Sequence, residues 1–145
     1  MKIYLASSWK NAKLVREIAN YLRVFGHEVD DFTDKSNGRF VFSFDKLPDI
    51  SSHNAISVLV FPEVKRAFTE DKKWIDWADV VLLLLPAGKS AHLEAGYAKG
   101  QGKKLIIYQE GFPEGEFDVM YGFADFMSDN PVEIVDYLSE TASRE

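Results

Sequence analysis

The sequence predicts a three-layer α/β/α sandwich built on a mainly parallel sheet of about five strands. Three observations predict it. Short apolar runs alternate with helical patterns along the chain. One of those runs, Val80–Leu85, is unbroken. The first strand, helix and second strand together span ~30 residues, the size of a parallel βαβ unit. A continuous apolar run suits a strand covered on both faces, as in a parallel sheet between helical layers.

Lys2–Ala6 (KIYLA) reads as the opening strand, with Ser7 and Ser8 as turn and capping residues. From Asn11 the pattern is helical, because Ala12, Val15, Ile18, Ala19 and Leu22 recur at spacings of three and four. Gly26 ends that helix, as a residue able to turn left-handed just past the last turn. Glu28–Phe32 (EVDDF) is the second strand, parallel to the first. Thr33–Pro62 reads as an excursion and candidate lid. Within it DKSNGRF is turn-rich, FVFSF alternates as a short strand or extended piece, LPDISSHN is loop-like, and AISVLVF reads as another short strand.

Pro62–Asp76 reads as a helix with Val64, Ala67, Phe68, Trp74 and Ile75 facing inward. After Val80–Leu85 a helix is expected from about Ala91 to Gln101, ended by Gly102, and then the apolar strand Lys104–Tyr108 (KLIIY). A Gly/Pro/Glu-rich loop follows, with a short helix or strand inside Val119–Met127. Pro131–Glu140 closes the chain as a helix, with proline in its first turn and Asn130 as its cap. These elements make one flavodoxin- or Rossmann-like domain over residues 1–140, with a short tail at 141–145.

Composition narrows the functional classes. Seventeen basic against twenty-three acidic residues give a net charge of −6, so there is no basic excess to neutralise a nucleic-acid polymer. Cysteine is absent, which removes disulfides, thiolate nucleophiles and cysteine metal sites. His27, His53 and His92 lie far apart with no ligand spacing, so no metal is expected. The opening MKIYLASSW is too brief for a signal peptide, and VVLLLLPA is far shorter than the ~18–20 residues that cross a bilayer. A soluble, cytoplasmic protein is the expectation.

In open parallel sheets the ligand crevice lies beyond the carboxyl ends of the strands. That rule singles out the loops Ser7–Lys10, Asp31–Gly38 and Pro86–Ser90. Glu94 follows the last of them and has two readings. It is a helix-start carboxylate favoured by the dipole, worth ~0.3–1 kcal/mol, or a functional acid among Leu93, Ala95, Gly96 and Ala98. A capping box from Ser90 does not explain it, since that motif needs three residues of spacing and here there are four.

Gly88–Ser90 is either an anion site at a helix N-terminus or an ordinary strand–helix turn. Tyr4 is either core packing with its hydroxyl at the rim or a site residue. Trp9 offers a wall on which a planar ring could stack. Asp71, Asp76 and Asp79 are acids of a surface helix and a strand start, where solvent exposure is the commoner role. His92 reads as a helix-surface or packing residue.

Taken together these residues resemble the nucleoside 2-deoxyribosyltransferase-like family, which includes deoxynucleoside-monophosphate glycosidases. The resemblance runs through MKIYLASSW, GHEVDDF, the block from Arg66 to Tyr108, and DVMYGFAD. Its most specific part is the E-x-G-Y-A-x-x-x-G-K core from Glu94 to Lys103. The resemblance implies that Glu94 is a nucleophile that attacks the anomeric carbon, expels the base and holds the sugar as an ester. Water or a second base would then complete hydrolysis or transfer.

It further implies that Tyr4 orients Glu94 and that Asp71 handles the leaving base. Ser7, Trp9, Gly88, Lys89, Ser90 and Met120 would contact a nucleoside or its 5′-monophosphate, with no cofactor. It also implies a homo-oligomer, with the DVMYGFAD segment reaching a neighbouring subunit's site in some members; Phe112, Phe117 and Tyr121 are either such a patch or core. The position six before Glu94, an acid in many base-transferring members, is Gly88 here, and Phe126 falls near an asparagine that some transferases supply. Transferase and hydrolase therefore both stand. The chemistry agrees: a carboxylate stabilises and traps an oxocarbenium-like centre, while a second acid protonates the departing base. Two other readings stand beside it: a non-catalytic nucleotide-sensing module using Gly88–Ser90 and Trp9, and a flavodoxin-like electron carrier.

Overall fold

The computed structural model describes residues 1–43, 45, 47, 50–111 and 116–144. The elements in chain order are β1 (Lys2–Ala6), α1 (Ala12–Val24), β2 (Glu28–Asp30), α2 (Ala55–Leu59), α3 (Pro62–Trp77), β3 (Val80–Leu84), α4 (Lys89–Gly100), β4 (Lys104–Tyr108), β5 (Phe126–Ser128) and α5 (Pro131–Ser143). The five strands form one sheet in the order β2-β1-β3-β4-β5, and every pairing is parallel. Tyr4 stands opposite Val81, and Val81 opposite Leu105.

Side chains alternate across the sheet, and both faces are covered. Ile3, Leu5, Leu82, Leu84, Ile106 and Tyr108 pack on α1 through Val15, Ile18, Ala19 and Leu22, and on α5 through Ile134, Val135 and Leu138. Tyr4, Ala6, Val81, Leu83 and Ile107 point the other way, onto Ile75 of α3 and Ala91, Ala95 and Ala98 of α4. A parallel strand buried on both sides needs apolar residues at every position, which is why β3 is buried along its whole length. The three alanines of α4 let that helix lie close to the sheet.

The sandwich, the parallel sheet and the limits of β1 and β4 match expectation. Several details differ, each for a local reason. AISVLVF is not a strand: Ala55–Leu59 is the short helix α2, closed by a reciprocal capping box in which Asn54 Oδ1 accepts from the Ser57 amide at 3.0 Å and Ser57 Oγ accepts from the Asn54 amide at 3.1 Å. Its apolar residues Ile56 and Leu59 stay exposed.

FVFSF forms no strand over its described residues 40–43, and Phe44 lies outside the described residues. β2 stops at Asp30 because the Asp31 carboxylate accepts both the amide and the hydroxyl of Thr33, at 2.8 and 2.6 Å, and turns the chain. Phe68, expected inward, is exposed, and Ile75 is the fully buried residue of α3. α4 begins at Lys89 rather than Ala91, and Gly102 just beyond it takes a φ of 87°. Val119–Met127 holds a 3-10 turn (Val119–Phe123) and most of β5. α5, capped by Asn130 as expected, continues past Glu140 to Ser143. No helix among the described residues is long and apolar enough to cross a membrane.

Candidate active site

The chain leaves β1 outward through α1 to β2 and returns on the other side of β1 as β3. The order of connections reverses between β1 and β3, which leaves a crevice above their carboxyl ends. Ser7 closes the base of that crevice. Its hydroxyl donates to the Leu84 carbonyl at 2.8 Å and accepts from the Asn11 amide nitrogen at 3.3 Å, tying the end of β1 to the end of β3.

A cleft of about 290 Å³ opens there, and its lining includes Tyr4, Ser7, Trp9, Asp71, Ser90 and Glu94. Glu94 is the sixth residue of α4, which begins after Gly88. The helix-dipole effect fades within the first turn, so the position of Glu94 needs another reason. Tyr4 supplies one: buried on β1, its hydroxyl donates to Glu94 Oε2. Burial pushes the Glu94 carboxyl up to about 7. The group can therefore be protonated or ionised near neutrality, a state that surface glutamates do not reach.

Asp71 faces the same cleft from α3. Its Oδ1 accepts from Arg39 Nη1 at 2.8 Å. Burial raises its carboxyl, and the Arg39 guanidinium offsets part of that rise. Arg39 is itself buried, and its Nε and Nη2 donate to the two oxygens of buried Asp30 at 3.2 Å each. Phe32, Phe40, Val41 and Phe42 make an aromatic-rich wall together with Trp9. Trp9 is 46% exposed and meets Phe32 edge to face at 5.2 Å.

On the α3/α4 side a groove of about 410 Å³ shares Asp71, Ser90 and Glu94 with the cleft and adds Phe68, Leu93 and Tyr97. Gly88, Lys89 and Met120 are not brought to Glu94. They line a separate cavity on the other side of α4, with His92, Tyr121 and Phe123. Because α4 presents residues to both sides, the first residues of the helix are shared between the two spaces. The other acids flagged in the sequence have structural roles. Asp79 accepts the Lys2 amide at 2.9 Å, and Asp76 binds Lys72, Tyr97 and Gln101 on the surface. His92 packs as expected, its Nε2 2.9 Å from the Tyr121 hydroxyl.

Sequence reasoning missed Asp30, Arg39 and the phenylalanine wall. The Asp31–Gly38 loop was singled out, but nothing in the spacing of DKSNGRF shows that Arg39 turns inward. Among the described residues no group of histidines and acids stands together as a metal site.

No family model and no curated protein matches the chain. Solved structures do. The 2-deoxyribosyltransferase of the psychrotolerant bacterium Bacillus psychrosaccharolyticus is similar over 94% of this chain and 92% of its own, with a TM-score of 0.68 at 19% identity. The Clostridium botulinum CMP N-glycosidase BcmB is similar over 96% of this chain and 98% of its own, with a TM-score of 0.56 at 17% identity. Its five-stranded parallel sheet, its two helical layers and these likenesses give the chain the fold of a 2-deoxyribosyltransferase and of a CMP N-glycosidase.

Proposed function

We propose that the protein is an enzyme of N-glycosidic bonds, acting on a (deoxy)nucleoside or its 5′-monophosphate through a glycosyl ester on Glu94. One observation carries this reading: a partly buried glutamate, bonded by a buried tyrosine hydroxyl, lines a cleft that also holds a second acid and an aromatic wall. The names of the two similar structures, a 2-deoxyribosyltransferase and a CMP N-glycosidase, support the same chemistry.

In the first step Glu94 Oε forms a bond to C1′ as the C1′–N bond breaks. The bonding pair leaves with the base, which takes the proton of Asp71. In the second step water attacks C1′, the C1′–O bond to Glu94 breaks, and the water proton passes to Asp71, releasing the free sugar. A second base in place of water gives transfer. Tyr4 steadies Glu94, and its hydrogen bond favours the ionised form that attacks. Trp9 and the phenylalanines flank the planar base. Ser90 serves the sugar or its phosphate, and Ser7, whose hydroxyl hydrogen is given to the Leu84 carbonyl, accepts from a sugar hydroxyl. No side chain caps α4 at Gly88, which leaves its first amides to an anion.

The roles of Gly88, Lys89 and Met120 are then to shape a neighbouring cavity, or to complete the site of a second copy in a homo-oligomer. Exposed Val119, Met120 and Phe123 favour the latter. A cytoplasmic location goes with a nucleotide-metabolising role. The test is product analysis by chromatography with a panel of nucleosides and their monophosphates, with and without an acceptor base. Free base alone identifies a hydrolase, and a new nucleoside identifies a transferase. Ligand-dependent thermal stabilisation with no base released, unchanged in Glu94→Gln, would instead support a sensing module.

A further inference from the structure

The side chain of Arg39 is 2% exposed, and so is that of Asp30, whereas that of Asp71 is 47% exposed. The guanidinium fork is divided between the two acids: two donors go to Asp30 and one goes to Asp71 Oδ1. Among the described residues Asp71 makes no other hydrogen bond, so its second oxygen remains available in the cleft. A buried arginine held on one side by a matching carboxylate is a rigid donor, because its planar fork is already fixed. The same arginine precedes Phe40, Val41 and Phe42, which line the cleft. Arg66 stacks on the outer part of this segment, 4.1 Å from the centre of the Phe40 ring.

We propose that Arg39 is a positioning residue: gripped by Asp30, it fixes the Asp71 carboxyl at the cleft shared with Glu94 and anchors the aromatic wall that follows it in the chain. What Asp71 does for a substrate rests on the glycosidic reading above; the clamp itself does not. The groups that face Asp71 are Arg39 and Asp30, with Asp31 beside them, Glu94 from α4, and Glu70 and Lys72 on its own helix. In this set Arg39 is the cation that touches Asp71, and Asp30 competes with Asp71 for its charge.

That competition makes a two-way test. Asp30→Asn keeps the size of the side chain and one acceptor for the fork but leaves the Arg39 charge undivided, so the Asp71 carboxyl should titrate lower. Arg39→Gln removes the charge, so Asp71 should titrate higher. Each shift is on the order of one pH unit. Asp30 also repels Asp71 directly, so the part of the downward shift that runs through Arg39 is the part lost when Asp30→Asn is made together with Arg39→Gln.

The measurement is a carbon-13 NMR titration of the Asp71 carboxyl in the full chain, natural and variant, with base release followed in parallel. Arg39→Lys keeps the charge but not the fork; its kcat should fall roughly tenfold with KM little changed. The limb of the pH–rate profile that follows Asp71 should move with the NMR midpoint. An Asp71 midpoint unmoved in Asp30→Asn overturns the clamp, even if Arg39→Gln does not fold. Opposite shifts in the two single variants, with the Asp30→Asn shift reduced in the double variant, establish it; an unreduced shift overturns it, and absence of base release alongside those shifts counts against the glycosidic reading alone.

Discussion

A carboxyl group sunk beside a tyrosine in a cleft holds its proton harder than one in water, and this has a cost that can be measured. The folded-state value of Glu94 is raised from 4.5 to about 7 by burial. The fold therefore favours the protonated form. That contribution to stability is fully present below about 4.5 and is lost as the pH rises through about 7. Glu94→Gln, which carries no charge at any pH, should be more stable than the natural protein by about 3 kcal/mol near pH 8, with little difference near pH 4. Urea unfolding at both pH values checks it, and a difference of the same size at both would count against a strained glutamate.

Tyr4→Phe acts in the opposite sense on the same residue. It removes a donor that stabilises the carboxylate, so the Glu94 midpoint, read by NMR, should rise further. A hydrogen bond to a charged group is worth about 1.5–3 kcal/mol, so base release should slow by roughly tenfold to a hundredfold. Unchanged turnover in Tyr4→Phe would detach the tyrosine from the chemistry.

At the scale of elements, α4 is the part of the fold that aims the site. Its alanines seat it on β3, β4 and β1, and that seating sets how Glu94 meets Tyr4. Ala95→Leu should crowd this contact and destabilise the protein by about 1–3 kcal/mol, with a fall in kcat beyond what the lost folded fraction explains. Ala19→Leu makes a similar intrusion under α1, on the opposite face of the sheet, and should lower stability without changing kcat. Equal loss of turnover in both variants would show that the seating of α4 has no special role.

The same contrast explains what could be read from the sequence. β1, β3, β4, α1 and α5 announce themselves because burial imposes a pattern: unbroken apolar runs on central strands and a stripe at spacings of three and four on helices. Glu94, Tyr4 and Asp71 stood out from their places along the chain, with a structural reading beside each, and the resemblance supplied their roles without geometry. The stretch around Arg39 gave no such pattern, because that side chain is held by partners across the fold. Arg39 reaches Asp30 nine positions back and Asp71 thirty-two positions on, and no local periodicity records either distance. The strand expected at AISVLVF fails for a local reason instead: β-branched residues favour a strand, but the cap made by Asn54 and Ser57 decides the backbone.

At the scale of the whole molecule, large apolar side chains remain uncovered around the site. Phe68 and Leu93 flank the groove beside Glu94, and Val119, Met120 and Phe123 stand out from the 3-10 turn before β5. The proposed homo-oligomer would bury them. Light scattering on the eluting protein should give a mass of at least two 16.5 kDa chains, and Met120→Glu should shift it toward one. A mass of a single chain at all concentrations would leave the cleft to work alone.

The most direct measurement concerns Glu94 itself. A 2′-fluorinated arabinonucleoside or its 5′-monophosphate slows both steps, because the electronegative fluorine disfavours the oxocarbenium-like state, and the ester can then accumulate. Mass spectrometry of the denatured and digested protein should find one fluoropentosyl unit, with its phosphate where present, on the peptide that carries Glu94, together with an equivalent of free base. Free base released with that peptide unmodified, or the sugar carried on another residue, would contradict Glu94 as the nucleophile.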